Sequence, residues 1–151
     1  IRKDIKKRIF KSIIESTVTY GAEVWTVTEK MKRRINTVEN GYWRRCCRLT
    51  LEDKVRNERI REMMEVNKTL TEEIETKQLQ WYGHMRRMDE ERIPQRVWNW
   101  RPTRNRKRGR PRRKWKEGVE RAMTRRNMEE GSWTDKKKWK SDCDKRPYNV
   151  V

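Results

Sequence analysis

The chain has 151 residues, enough for one domain or for a small domain with a tail. Its net charge of +19, from 42 Lys and Arg against 23 Asp and Glu, predicts a polyanionic partner, and nucleic acid is the leading candidate. No apolar run in the sequence approaches the roughly 18 residues of a membrane span and no signal peptide is visible, so the composition argues against a membrane protein.

Apolar residues recur at helical spacing through the first part of the chain. The first predicted helix ends near Tyr20, and its apolar face consists of Ile5, Ile9, either Ile13 or Ile14, and Val18. Residues 20–28 are rich in β-branched side chains, which allows either a short strand or a continuation of that helix. Thr28 is a suitable N-cap for a second helix, whose apolar stripe extends to Leu49.

Two further helices are predicted before residue 92. Asn57 can cap a short helix that carries Ile60 and Met64. Thr69 and Glu72 form a capping-box pattern, which opens a helix toward Met88. Residues 1–92 are therefore predicted to form a helical body.

A flexible basic linker is predicted for residues 93–111, because Pro102, Gly109 and Pro111 interrupt helix formation there. The stretch 92–116 contains twelve Lys or Arg and no acidic residue. Charge at this density repels itself and stabilises no fold, so the stretch is the strongest single indication of a nucleic-acid partner.

C-terminal basic helices are predicted for residues 112–151. Pro111 suits the first position of a helix that runs to about Asn127. Ser132 with Asp135 predicts a final short helix. The predicted fold class is therefore all-α, a small helical bundle of about five to six helices with a disordered Arg-rich loop.

Three functions compete for the basic run from Arg101 to Lys116. The simplest is a solvated tail or a nuclear-import signal. The sequence Arg108-Gly109-Arg110-Pro111 also matches the core of an AT-hook, whose arginines follow a narrow A·T minor groove. The third, which we favour, is phosphate binding by the loop together with the start of the following helix.

The charge of that predicted helix start favours phosphate binding. Arg112, Arg113 and Lys114 would occupy the first turn, where the helix dipole already presents about half a positive charge, so a bound phosphate would relieve the repulsion. Contact with about six phosphates would give a log–log salt slope near −5, without reading of base edges. The predicted nucleic-acid-binding residues are Arg104, Arg106, Lys107, Arg108, Arg110, Arg112, Arg113, Lys114, Arg121 and Arg125.

The remaining candidate residues give weaker functional signals. Trp98 and Trp100, beside the basic run, are candidates for base stacking. His84 and the three cysteines lack the spacing of a zinc site, and the sequence contains neither a phosphate loop nor a catalytic triad. We therefore expect no metal, no cofactor and no enzymatic activity in this chain. The unpatterned cysteines favour an intracellular location and the basic run favours the nucleus.

Four segments resemble the C-terminal region of reverse transcriptases from non-LTR (LINE-like) retrotransposons. Their order along the chain is also that of the family. They are Tyr20–Thr28, similar to Tyr-Gly-x-Glu-x-Trp-x-x-Thr; Gly83–Met88, similar to Gly-His-x-x-Arg-Met; Gly109–Trp115, similar to Gly-Arg-Pro-x-x-x-Trp; and Asp135–Trp139, similar to Asp-Arg-x-x-Trp with Lys136 in place of Arg.

The resemblance implies a helical thumb and connector downstream of a polymerase palm. Such a region would grip the primer–template, an RNA–DNA hybrid, and would hold template RNA or target DNA. The catalytic aspartates, their Mg²⁺ and the endonuclease would belong to the upstream polymerase of the parent chain. The start at Ile1 and the apolar face of Ile5, Ile9 and Ile13 are then expected of a fragment that packs on the palm. A stand-alone AT-hook chromosomal protein and a degenerate retroelement remnant stay open as alternatives.

Overall fold

Seven helices and no strand are present in the residues that the computed structural model describes, which are 2–100, 109 and 113–148. The all-α prediction is therefore confirmed, and residues 20–28 do not form a strand. Most of the predicted Arg-rich loop lies outside the described residues. The helices are α1, Lys3–Ile9 with a π-helical continuation Phe10–Glu15 and a last turn Ser16–Val18; α2, Glu29–Cys46; α3, Asn57–Met64; α4, Leu70–Arg86; α5, Ile93–Asn99; α6, Trp115–Thr124; and α7, Lys136–Asp144.

Two of these helices begin at their predicted caps, whereas α7 begins after Asp135 rather than after Ser132, the first residue of its predicted capping pattern. The Thr28 hydroxyl accepts a hydrogen bond from the Met31 amide (3.3 Å) at the start of α2. Thr69 and Glu72 make both bonds of the capping box, at 2.7 and 3.2 Å, before α4. Asp135 accepts from two backbone amides of the first turn of α7, at 2.9 and 3.0 Å. Local side-chain chemistry alone specifies these three starts.

Two other helix starts differ from the prediction. Asn57 is the first residue of α3 rather than its cap, a position that Arg56 occupies. Helix α6 begins at Trp115 rather than Pro111, and it ends at Thr124. Arg113 and Lys114 consequently precede α6 instead of lying in its first turn. The physical reason is that the Trp115 side chain is held by the rest of unit 2, through its hydrogen bond to the carbonyl of Glu23 and its packing at the edge of the core, whereas Arg113 and Lys114 are exposed.

Residues 93–99, predicted as the beginning of a flexible linker, form α5. Pro94 lies in its first turn, where the missing N–H of proline costs no hydrogen bond. The Gln95 side chain is buried and donates to the carbonyl of Met85 at 2.9 Å. This contact holds in place a helix that is too short to be stable by itself.

The chain divides into two compact units, and the division falls within α4. Unit 1 consists of Ile1–Ala22 and Val27–Ile74, and unit 2 of Glu23–Thr26 and Glu75–Val151. The range 1–92, treated above as one body, therefore contains all of unit 1 and part of unit 2.

Unit 1 is organised around Trp43, which is almost fully buried. Phe10 packs on it with ring centroids 4.4 Å apart, and Tyr42 meets it edge-on at 4.9 Å. The Tyr42 hydroxyl donates to the carbonyl of Lys6 at 2.7 Å, which ties α2 to α1. Phe10, at the start of the π-helical stretch, is thus the core residue of α1. The stripe predicted from periodicity is left largely exposed within unit 1 at Ile5, Ile9 and Ile13.

Residues of the segments that resemble the retrotransposon family make several contacts within unit 2, together with core residues outside those segments. The Trp139 side chain is buried over the backbone of Gly83, and its Nε1 donates to the carbonyl of Leu79 at 3.0 Å. Trp115 Nε1 donates to the carbonyl of Glu23 at 2.8 Å. Gln78 Nε2 donates to the carbonyl of Trp25 at the same distance. Residues far apart in sequence therefore form one core, which consists of Leu79, Tyr82, Met85, Val119, Ala122, Met123, Met128, Trp133, Trp139 and Cys143, with Trp98 and Trp115 at its edge.

The closeness of Trp139 to Gly83 predicts a specific instability. A Cβ added at Gly83 would overlap the Trp139 indole, so Gly83→Ala should lower the free energy of unfolding by about 1–3 kcal/mol, as overpacking does. Gly118, also in a helix of unit 2, has open space around its Cα. Gly118→Ala should therefore raise the free energy of unfolding by about 0.5–1 kcal/mol. Urea unfolding of both variants measures the effects, and equal values would contradict the packing described here.

Candidate nucleic-acid interface

Buried charges in unit 2 are paired with one another. The Glu75 carboxylate forms ion pairs with the guanidinium groups of Arg125 and Arg126. The ion pair with Arg126 is 3.3 Å long, and the Arg126 side chain is 0% exposed. Arg126 Nε also donates to the carbonyl of Lys145 at 3.2 Å. A buried charge of either sign is costly unless paired, so this group serves the fold. Arg125, one of the predicted phosphate-binding residues, is thus held by a carboxylate of its own unit.

A buried carboxylate in unit 1 is similarly paired. Glu39 is fully buried in α2, where it accepts hydrogen bonds from the backbone amide of Leu70 (3.0 Å) and from Trp43 Nε1 (3.4 Å). Arg61 lies 3.9 Å away. Burial raises the pKa of Glu39 above its ordinary value of 4.5, because desolvation outweighs the amide of Leu70 and the charge of Arg61.

Several cations without an ion-pair partner lie on the surface of unit 2. Arg113 and Lys114, just before α6, are exposed and form no ion pair within the described part of the chain. Arg121 is exposed on α6, and its Nε donates only to the carbonyl of Glu117 at 3.1 Å. Lys116, by contrast, pairs with Glu120 at 3.7 Å, as the helical spacing predicts. Three of the predicted phosphate-binding residues are therefore available to a ligand.

The other predicted phosphate-binding residues lie outside the described residues. Of the AT-hook sequence, Gly109 is described, and its φ of +144° is a conformation that side chains rarely adopt. The predicted residues that have no structural description are Arg104, Arg106, Lys107, Arg108, Arg110 and Arg112.

The two tryptophans predicted as base stackers have different environments. Trp98 packs against the rings of Tyr82 and Trp115, with centroids 5.3 and 5.9 Å apart, and so belongs to the edge of the unit 2 core. Lys116 Nζ lies 4.9 Å from the centroid of its ring. Trp100 follows the last residue of α5 and is 68% exposed. Only Trp100 of this pair therefore presents its ring to solvent.

Four lysines of α7 form a basic surface that the sequence analysis did not assign to nucleic-acid binding. All are exposed and without an ion-pair partner among the described residues, while Trp139 on the opposite side of the helix is buried. The sequence contained an indication of this basic surface, because three consecutive lysines in the first turn of a helix oppose the helix dipole. These residues are Lys136, Lys137, Lys138 and Lys140.

The described residues offer little for chemistry. They bring together no group of three or more His, Cys, Asp or Glu that could hold a metal ion. Burial raises the pKa of the Cys143 thiol to about 12, so this cysteine stays protonated at neutral pH and is a poor nucleophile. His84 is exposed beside the ring of Trp81, with centroids 5.6 Å apart. Within 2–100, 109 and 113–148, the helices are too short or too polar for any of them to cross a membrane.

Comparison with known proteins connects the chain to transposon-derived sequence. It is 30% identical over 133 residues to a Caenorhabditis elegans protein named "Putative uncharacterized transposon-derived protein F52C9.6". The match covers 84% of this chain and 47% of that protein, so the chain spans about half the length of the relative. The likeness supports a transposon origin. No protein-family model and no solved structure matches the chain.

The raised pKa of Glu39 predicts a defined pH dependence of stability. Because the folded pKa lies above the unfolded value of about 4.5, the wild-type free energy of unfolding should decrease as pH rises through the folded pKa. Glu39→Gln has no carboxyl group at this position, so its free energy of unfolding should lack this pH dependence. Its stability relative to wild type should therefore increase from pH 4 to pH 7. Urea unfolding at both pH values is the measurement, with the exposed Glu52→Gln as control. A relative stability of Glu39→Gln that worsens with pH would contradict the assignment.

Proposed function

We propose that this chain is a non-catalytic, nucleic-acid-binding part of a retrotransposon reverse transcriptase. It would hold the primer–template, template RNA or target DNA through contacts to phosphates. The observation that carries the proposal is the division of charge: the buried carboxylates Glu39 and Glu75 are paired, whereas cations such as Arg121 are exposed and uncompensated. The transposon-derived relative adds independent support.

In unit 2 the proposed grip combines the cations before and on α6 with the lysines of α7. Lysine and arginine bind phosphate through charge and hydrogen bonds, and they bind RNA and DNA backbones alike. Shape rather than base sequence would then select the ligand, and an A-form hybrid presents closely spaced phosphates and 2′-hydroxyls. We expect little discrimination among sequences of the same helical form.

Catalysis in this proposal belongs to the upstream polymerase domain of the parent chain. The polymerase's Mg²⁺ and its chemistry are assigned to that domain as part of the proposal. This chain would act on rate only by keeping the nucleic acid in position. A nuclear location is proposed with it, because the target DNA of such an element is chromosomal.

Salt dependence tests the proposed function directly. Wild-type affinity for a hybrid duplex should fall with added salt, with a log–log slope near −5 if about six phosphates are contacted. The triple variant Arg113→Gln/Lys114→Gln/Arg121→Gln should weaken binding and make the slope shallower by up to about 3. A slope near zero for the wild type would contradict phosphate binding.

A matched variant separates specific contacts from net charge. Lys30→Gln/Arg33→Gln/Arg34→Gln removes three exposed charges from α2 in unit 1 and should change the slope much less. Equal effects of the two triple variants would indicate general attraction only.

Competition with a ligand that occupies the A·T minor groove tests the AT-hook alternative. This ligand should leave hybrid binding intact. If it instead displaces the protein from A·T-rich DNA, the AT-hook alternative is favoured.

A further inference from the structure

The outward face of α5 carries apolar side chains that unit 2 leaves in water. Ile93, Val97 and Trp100 follow one another at helical spacing and are 72%, 66% and 68% exposed. The opposite side of the helix is packed, through buried Gln95 and through Trp98 against Tyr82. The face is therefore held in a fixed position while its apolar surface stays uncovered.

Size decides which class of ligand this face can hold. A helix of seven residues is about 10 Å long. A stable protein partner needs about 800 Å² from each side, far more than three side chains supply. A nucleobase needs only one flat apolar surface, such as the ring of Trp100, so a ligand of a few unpaired nucleotides fits a face of this size.

Charge favours the same ligand. Arg92 and Arg96 are exposed beside the apolar face and form no side-chain ion pair among the described residues. Asp89, Glu90 and Glu91 precede Arg92, whereas no acidic residue follows until Glu117, so the sequence on the C-terminal side of this face adds only positive charge. Aromatic and apolar surfaces beside cations are typical of single-strand binding sites, where bases stack and phosphates pair with the cations.

We propose that Ile93, Val97 and Trp100 form a platform for unpaired bases of a single strand, with Arg92 and Arg96 pairing to its phosphates. The inference rests on the proposed function, which requires phosphates only, and adds that the bound nucleic acid includes unpaired nucleotides. Trp100 stacks on one base, while Val97 and Ile93 contact its neighbours.

The test compares two labelled single strands of equal length, oligodeoxythymidylate and an abasic strand, with the full chain. Wild type should bind the base-bearing strand about tenfold more tightly, since each stacked base contributes on this scale. Trp100→Ala should reduce that affinity to the abasic level and leave the salt slope unchanged, because no cation is lost. Tyr148→Ala is the matched control, as Tyr148 is an aromatic residue of unit 2 with the same 68% exposure. It should retain the preference for bases.

Other outcomes separate this inference from the proposed function. If Trp100→Ala binds the base-bearing strand as tightly as wild type, with steep salt dependence retained, the platform is wrong and phosphate binding stands. If wild type binds no nucleic acid in a salt-dependent way, both are wrong. Trp100-dependent binding of an acidic amphipathic peptide without any preference for bases would identify a protein ligand instead.

The two arginines are tested separately. Arg92→Gln/Arg96→Gln should make the log–log salt slope of single-strand binding shallower by about 1.4, and an unchanged slope would remove these arginines from the site.

Discussion

Unit 2 depends on one close contact, in which the indole of Trp139 lies on the backbone of Gly83 in α4. The absence of a side chain at Gly83 lets α7 approach α4, and the Trp139 Nε1 bond to Leu79 sets the orientation of the ring. Tyr82 and Trp133 then pack around the indole. Helices of seven to ten residues are unstable alone, so aromatic packing has to supply the stability that few aliphatic residues can give.

The same core determines where the functional charges can be. Glu75 pairs with Arg125 and Arg126 inside unit 2, which lowers the cost of burying their charge. Arg113, Lys114, Arg121 and the exposed lysines of α7 form no ion pair among the described residues. These uncompensated charges are presented to a polyanion.

The segments that resemble the retrotransposon family serve both the fold and the proposed ligand. Gly83 and Trp139 meet each other, and Trp115 binds the carbonyl of Glu23. The same segments also contain exposed cations of the proposed grip, Arg113 and Lys114 before Trp115 and the three lysines before Trp139. Packing residues and proposed ligand contacts are therefore neighbours in sequence within these segments.

Sequence by itself determined the fold class, the charge and the helix starts at Thr28 and Thr69, because these depend on composition and on hydrogen bonds within one turn. Only the tertiary structure decided that α6 starts at Trp115, that Arg125 is held by Glu75, and that α5 forms within a predicted linker. Each of those outcomes depends on a partner distant in sequence, which periodicity and capping rules do not reveal. The tertiary structure likewise determined the environments of the two candidate stackers, since the Trp98 ring packs at the edge of the core and Trp100 is exposed.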